Sequence, residues 1–528
     1  MGSSTRHGRW AGLTAALVLA GGCASSDART VDVGGPMVTV PPSVQGAMPV
    51  MTGAPGQPAA HPVGQSSGQS GSGQPTGQSG SGSGSGLTFE PTRVGESCTT
   101  DGAIGNGGGG PVICDGTWRY LMSEDVPAAP PGGYQGRPDW YPTLAQIFNR
   151  PDATCPPTDV VFTASVLPVE SIVASVPYGL MIGDHVTPID HGYLGIASLA
   201  KDPATLTDAD YVPVTSPADG TIIEVSSLGS PTSHRVVIDH GCNVFTVYMV
   251  VNRLAGVLES YADQVDSGGY VRVELPVHAG DVFGEQRDNP MDFNVFAGTT
   301  WLSGFAQPMS YAYGETWKPY TTDPLPFFSA DLRPTYEQAM QRTAEPRWGK
   351  IDHDVIGAAA GNWFLEGTIG YDGQQIDDVR AATTEIQGGP VPDKNGYSWS
   401  HLAFAPHWVV PDQWIASFGI WTDPNGDFRQ FLIDLQPGQP TPDQLTVSSG
   451  VVVYRLTDWQ VLDASGAPFT HQNRMPEPIG YTIAPAQVQG LVAVQVNDDG
   501  TITVETMAGV EDATAFVGFT DASRTYHR

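Results

Sequence analysis

Lysine is almost missing from this sequence: four residues in 528, and Lys plus Arg together reach 24 against 55 Asp plus Glu. The formal net charge of −31 excludes a nucleic-acid binder, which needs a basic surface to displace counterions from phosphates. Long apolar runs are missing as well. No segment reaches the roughly 18 apolar residues that a helix needs to cross a bilayer, so no transmembrane helix is expected. The His-Glu-x-x-His of a zinc-protease helix is absent. The C-terminal third lacks both a Gly-x-Ser-x-Gly elbow and a phosphate-binding loop. Cysteine is scarce, at five residues. In excess are Gly (64) and Pro (45), which oppose helix interiors and exclude an all-helical protein. Apolar content of 40%, with 12 Trp, 18 Tyr and 18 Phe, is enough for real cores, and the length asks for two or three domains.

The N-terminus reads as an address. Arg6, His7 and Arg9 precede a short apolar stretch at 11–20, which runs into Leu19-Ala20-Gly21-Gly22-Cys23. Small residues directly before a cysteine resemble the lipobox of bacterial lipoproteins, with Ala20 where a larger aliphatic residue is usual. The resemblance implies a signal peptide at 1–22, cleavage before Cys23, and lipid (palmitate among its acyl chains) on the Cys23 thiol and amine. It makes a lipid anchor the membrane partner, on the cell membrane or an outer membrane, facing the periplasm or the cell surface. An ordinary secretory signal with an incidental cysteine is the alternative. Residues 23–88 are rich in Gly, Ser, Gln and Pro and are expected to form a disordered tether. About 65 such residues have an r.m.s. reach of about 45 Å.

Four cysteines remain: Cys98, Cys114, Cys155 and Cys242. An even number in an exported chain predicts two disulfides, with three possible pairings. Cys98–Cys114 is favoured because both lie in one small Gly-rich module at 89–125, where little else holds the chain. Closing such a loop contributes roughly 3 kcal/mol. Cys155 and Cys242 are then left to pair. Zinc on the two thiols of the module is the alternative, although no histidine lies near them.

Residues 150–328 read as all-β. Apolar, β-branched runs occur at 160–167, 221–225, 235–238, 244–251 and 270–275. Turn signals separate them, among them Ala218-Asp219-Gly220 and His240-Gly241. Leu254, Leu258, Tyr261 and Val265 recur at helical spacing and predict a short amphipathic helix over 254–266. Four strings then follow in order: Pro213-Val214-Thr215-Ser216-Pro217-Ala218-Asp219-Gly220, Val236-Val237-Ile238-Asp239-His240, Thr246-Val247-Tyr248, and Val277-His278-Ala279-Gly280-Asp281-Val282-Phe283-Gly284. Their order and spacing resemble the lysostaphin-like (LytM-type) peptidoglycan metallopeptidases. The resemblance implies a rolled antiparallel β sandwich, the duplicated hybrid motif.

In that family one zinc, held by a His-x-x-x-Asp pair and the second His of a His-x-His, activates water for amide hydrolysis. Here the first element reads Asp184-His185-Val186-Thr187-Pro188-Ile189-Asp190-His191-Gly192-Tyr193-Leu194-Gly195. With His191 as the ligand, Gly195 falls on the Asp position; with His185 and Asp190, the spacing is one residue too long. In the last element Asp292 replaces the catalytic His and Asn294 the ligand His, and Val250 replaces a third. The resemblance therefore implies a kept fold with a broken ligand set. The expected groove is lined by His185, Asp190, His191 and Asn294. Candidate catalytic groups are His240 and Asp292, and a zinc on His185, Asp190 and His191 remains possible. The plainer reading has these histidines capping turns and ending a strand.

Residues 329–528 read as a second, β-rich domain. A helix is expected over 334–342 behind a proline, and strands over 450–456, 491–496 and 501–506. Asn497-Asp498-Asp499-Gly500 is a hairpin turn between the last two. Seven of the 12 tryptophans lie from Trp348 to Trp459, where they serve either as stacking platforms for sugar rings or as core. His353, Asp354, His401 and His407 are candidates for a second site.

The expectation is thus a mainly β, exported lipoprotein of the cell envelope. Its metallopeptidase-like domain has lost catalysis and binds or scaffolds cell-wall peptide or glycan. The alternatives are a divergent zinc endopeptidase cutting peptidoglycan cross-links and a carbohydrate-binding surface lipoprotein.

Overall fold

The structure, a computed structural model, describes residues 93–107, 110–230, 232–266, 269–384, 397–462, 466 and 482–528. The signal peptide, Cys23 and the tether lie outside the described residues. The described chain is mainly β, built from antiparallel sheets and one closed barrel. Among the described residues no helix is long and apolar enough to cross a membrane.

The N-terminal module carries a three-stranded sheet of β1 (Ile104–Gly107), β2 (Gly110–Asp115) and β3 (Thr117–Tyr120). The next strands are β4 (Ile172–Val176), β5 (Gly192–Ile196), β6 (Val212–Thr215), β7 (Gly220–Ser230), β8 (Ser233–Asp239), β9 (Val244–Val251), β10 (Arg253–Leu254), β11 (Tyr270–Val277), β12 (Val282–Gln286) and β13 (Met291–Ala297). Seven of them form one sheet in the order β11-β7-β8-β9-β13-β5-β4, and the other three form a small sheet in the order β10-β12-β6. The two sheets enclose a core in which Val214, Leu254 and Phe283 of the small sheet meet Ile222, Val236 and Tyr248 of the large one. This is the expected antiparallel sandwich. The opposite face of the large sheet is also covered, by the N-terminal module over Val237, Phe245 and Phe296. Cover on both faces explains why β9 is apolar on both of its alternations.

The last eight strands are β14 (Gly361–Leu365), β15 (His401–Pro406), β16 (Trp414–Phe418), β17 (Arg429–Asp434), β18 (Val452–Leu462), β19 (Thr482–Val496), β20 (Ile502–Ala508) and β21 (Arg524–His527). Each pairs antiparallel with the next, and β21 returns to β14 to close a barrel. Leu402, Phe404, Phe418, Tyr454, Leu456 and Val492 belong to the packed core of this barrel. Eight strands give an interior just wide enough for side chains to fill. On β15 the alternate residues Ala403 and Ala405 join Val176, Leu180, Met181 and Tyr193 in a separate cluster, so the barrel wall docks on the central domain.

Four expectations are corrected. Residues 160–167 form no strand. Phe162, Val166 and Leu167 are buried, yet the backbone bonds outward, Phe162 N–H to Phe327 O and Thr163 N–H to Pro217 O. A short apolar run fits a buried irregular segment as well as a strand. The boundary at 328/329 is absent. Tyr336, Met340, Trp348 and Ile351 complete the sandwich core, and the barrel starts at Gly361. Nor is 89–125 a separate module, since Val94, Val112 and Tyr120 share a core with the large sheet. The helix expected over 254–266 is replaced at its start by β10 and runs as a 3-10 turn, Gly256–Tyr261, into the helix Ala262–Asp266.

Both disulfides form, Cys98–Cys114 and Cys155–Cys242, with Cα–Cα distances of 5.8 and 4.8 Å. Two such bonds point to an extracellular or periplasmic location.

Candidate functional site

β5 and β13 run side by side, with Tyr193 opposite Asp292. Strand alternation sends Met291, Phe293 and Val295 into the sandwich core and Asp292, Asn294 and Phe296 to the other face. On that face Phe296 lies under the N-terminal module and Tyr193 under the barrel. The polar residues between them occupy the seam where the two covers meet. Met309–Tyr320 packs along it and supplies Trp317 and Lys318.

Asp190 and His191 sit directly before β5. Gly192 follows them because a Cβ there would stand 2.9 Å from the Val176 carbonyl oxygen. The His191 ring is held on both sides. Its Nδ1 is 3.2 Å from Asp190 Oδ1, and its Nε2 is 3.3 Å from the Tyr193 hydroxyl and 3.4 Å from Asp292 Oδ2. The Trp317 indole N–H donates to Asp190 Oδ2 at 3.0 Å. Lys318, fully buried, donates to Glu315 Oε2 at 2.8 Å and to the Tyr371 hydroxyl at 3.2 Å. His185 stands edge-on to His191, ring centroids 5.7 Å apart. Its turn, Ile182-Gly183-Asp184-His185, forms a half-buried rim, pinned by Gln430 of β17, which donates to Gly183 O at 2.9 Å.

The electrostatics follow from burial and neighbours. Burial pulls the His191 pKa down, but the Asp292 and Asp190 carboxylates outweigh it and the pKa rises, which favours the doubly protonated ring. Burial pushes Asp292 up to about 7, against the pull of His191. Burial also raises Asp190, but the His191 hydrogen bond and the Lys318 charge win and hold it low. His185 is driven down to about 3, first by burial and then by the charges of His191 and Lys318, so it stays neutral. Burial raises Asp184 to about 6.

These residues do not fit the zinc of the resembled family. A zinc-bound histidine must offer a bare nitrogen lone pair. His191 offers none, because each ring nitrogen faces a carboxylate. Asn294 brings an amide oxygen, a poor zinc ligand beside imidazole. Among the described residues, no three His, Cys, Asp or Glu side chains are grouped so as to hold a metal ion. The arrangement is a closed ion-pair network with His191 at its centre.

His185, Asp190, His191, Asp292 and Asn294 thus gather at one seam. His240 does not join them. Its Nε2 lies 2.8 Å from the Thr246 hydroxyl and its Nδ1 2.9 Å from the Asp219 carbonyl oxygen. Thr246 alternates with Val244 and Tyr248, both in the sandwich core, so His240 sits on the opposite side of the sheet from Asp292. The carbonyl takes the Nδ1 proton and the hydroxyl caps Nε2, leaving no nitrogen for catalysis. The C-terminal candidates do not converge either. His353 Nε2 bonds Lys350 O, His401 Nε2 bonds Tyr371 O, and His407 Nδ1 accepts from Val409 N–H. Asp354 accepts from the Asn362 and Ala306 N–H groups. Of the seven tryptophans, Trp348, Trp363, Trp399, Trp408 and Trp421 are buried, and Trp414 and Trp459 pack partly buried against core clusters. They are core rather than platforms.

Tyr193, Glu315, Trp317, Lys318 and Tyr371 escaped the sequence reading. One signal was available: Lys318 is one of four lysines, set in the aromatic run from Tyr311 to Tyr320. No family model matches the chain, and no curated protein matches its sequence.

Proposed function

We propose that this protein is a lipid-anchored lipoprotein of the cell envelope whose lysostaphin-like domain binds cell-wall peptide or glycan without cutting it. The observation that carries the reading is the state of His191. A ring with a carboxylate at each nitrogen and a raised pKa neither ligates zinc nor accepts a proton from water. The antiparallel sandwich supports the reading, and an internal ion pair stands where the resemblance puts a metal. The lipobox at Cys23 and the Gly/Ser-rich tether support attachment to a membrane with enough reach to meet the wall.

The test is zinc stoichiometry on the full mature chain, purified without chelator or affinity histidines, beside incubation with isolated sacculi. The expected result is no bound zinc, retention on the sacculi, and no release of soluble muropeptides. One tightly held zinc per chain, lost in His185→Ala and Asp292→Ala, together with muropeptide release, overturns the reading in favour of a divergent endopeptidase.

A further inference from the structure

The two disulfides stand in different surroundings. Phe148 is buried in the core under the N-terminal module and Val160 in the sandwich core. Between them, residues 151–156 run as a strap over the surface, all exposed except the half-buried Ala153. Two bonds pin the strap to the turn between β8 and β9: the Cys155–Cys242 disulfide, and Ala153 N–H to Asn243 Oδ1 at 3.1 Å. Arg150 anchors its start on Asp239 and Glu274, at 2.8 and 2.6 Å. Cys155 is exposed and Cys242 half-buried.

Cys242 also occupies a backbone position that a cysteine rarely takes. Gly241, Cys242 and Asn243 have φ of 74°, 51° and 55°, three left-handed residues in a row. Glycine enters that region freely and asparagine readily, whereas the Cβ of a cysteine meets the following carbonyl. The turn does not rely on the sulfur bridge for its backbone bonds. His240 N–H bonds Val244 O, Val244 N–H bonds Gly241 O, and Gly298 N–H bonds Asn243 O. Cys98–Cys114 is the contrast. Cys114 lies on β2, the middle strand of its sheet, and is 2% exposed. Its N–H bonds Ala103 O and its carbonyl accepts from Gly102 N–H, while Cys98, half-buried, bonds Gly116 O through its own N–H. Disulfide exchange needs a thiolate to reach a sulfur, so access decides which bond reacts. Of these four cysteines, only Cys155 is exposed.

We infer that Cys155–Cys242 is a thiol–disulfide exchange site that a dithiol opens in the folded protein, while Cys98–Cys114 stays closed as a structural bond. The inference goes beyond the wall-binding reading and does not depend on it. A thiolate of the dithiol attacks the Cys155 sulfur. The S–S bond breaks, Cys242 leaves as a thiolate that takes a proton from water, and a mixed disulfide forms on Cys155. The second thiol of the dithiol gives up its proton, attacks the dithiol's own sulfur in that mixed disulfide and releases Cys155, which is protonated in turn. Two electrons pass: the protein disulfide is reduced to two thiols and the dithiol is oxidised to a disulfide. The strap is then held to the turn by the Ala153–Asn243 bond alone, with both of its ends still buried in the cores.

The test is timed reduction of the full mature chain by dithiothreitol without denaturant, with iodoacetamide trapping and peptide mass spectrometry to read each cysteine. Circular dichroism is followed in parallel. Expected is trapping of Cys155 and Cys242 at least about tenfold faster than of Cys98 and Cys114, with the dichroism of the folded chain unchanged. Asn243→Gly keeps the left-handed turn and removes the bond to Ala153. In it the Cys155–Cys242 bond is expected to open about fivefold faster, the worth of one hydrogen bond, and the Cys98–Cys114 rate to stay as it was. Equal rates for the two disulfides, faster trapping of Cys98 and Cys114, or trapping of Cys155 and Cys242 only as the dichroism is lost overturns the inference. An unchanged rate in folded Asn243→Gly overturns it as well, since the strap would then not govern access to the bond.

Discussion

At the scale of single residues, the seam is a balance of charges in which removal of one member exposes the others. His191→Leu leaves Asp190 and Asp292 buried without the ring between them. Breaking a buried pair from one side costs about 3–5 kcal/mol, because a charge stays behind without compensation. The expected outcome is a loss of that size in urea denaturation, with part of it recovered when Asp292→Leu is added. Equal midpoints for wild type and His191→Leu count against the ion-pair description. The residues of this seam were partly legible. His185, Asp190, His191, Asp292 and Asn294 are readable because they fall in strings that resemble those of a known family. Their roles were not, since the state of a histidine depends on what faces each nitrogen. His240 shows the limit: it directly follows a strand, but the sequence alone does not tell which face of the sheet its ring joins. Lys318, Glu315 and Trp317 come from a segment more than a hundred residues away from Asp190, and only the folded chain brings them there.

At the scale of elements, strands with clear turns were legible and irregular buried segments were not. β9 lies where the apolar run predicts it, and the turn at 497–500 joins β19 to β20. The run at 160–167 fails because burial alone does not make a ladder. The disulfides act on this scale, each holding an element pair through the unfolded state. Cys98–Cys114 spans 16 residues and Cys155–Cys242 spans 87. In the loop-entropy model these closures contribute about 3.1 and about 4.6 kcal/mol. Replacing each pair by alanine is expected to lower unfolding stability in that order, with Cys155/Cys242 the costlier loss. Comparable losses, or a larger loss for Cys98/Cys114, would show that native packing rather than loop length sets their value.

For the whole molecule, the buried histidines decide how it meets acid. Burial holds His185, His401 and His407 down to about 3 and His240 to about 4, while an unfolded histidine takes its proton near 6.5. Between those limits the unfolded chain binds more protons at these four positions, so their contribution is present above pH 6.5 and lost as pH falls through the window. Asp292, raised by burial to about 7, and Asp184, raised to about 6, act in the opposite sense, because the folded chain keeps protons that the unfolded chain has released. Glu315, also raised by burial, adds to the opposition, and His353, lowered to about 4, adds to the histidines. Asp323, Asp354 and Asp458, raised by burial as well, stand on the same side as Glu315. Stability in urea is expected to fall from pH 6 to pH 4 through these histidines, with the raised carboxyls opposing the loss. His240→Asn isolates one contribution: the amide keeps a donor for Asp219 O and an acceptor for the Thr246 hydroxyl, and it does not titrate. The variant is expected to begin less stable at pH 7 and to lose less between pH 6.5 and pH 4. If its curve runs parallel to that of the wild type, His240 is not neutral in the folded chain, and its place between a carbonyl and a hydroxyl has been read with the wrong proton.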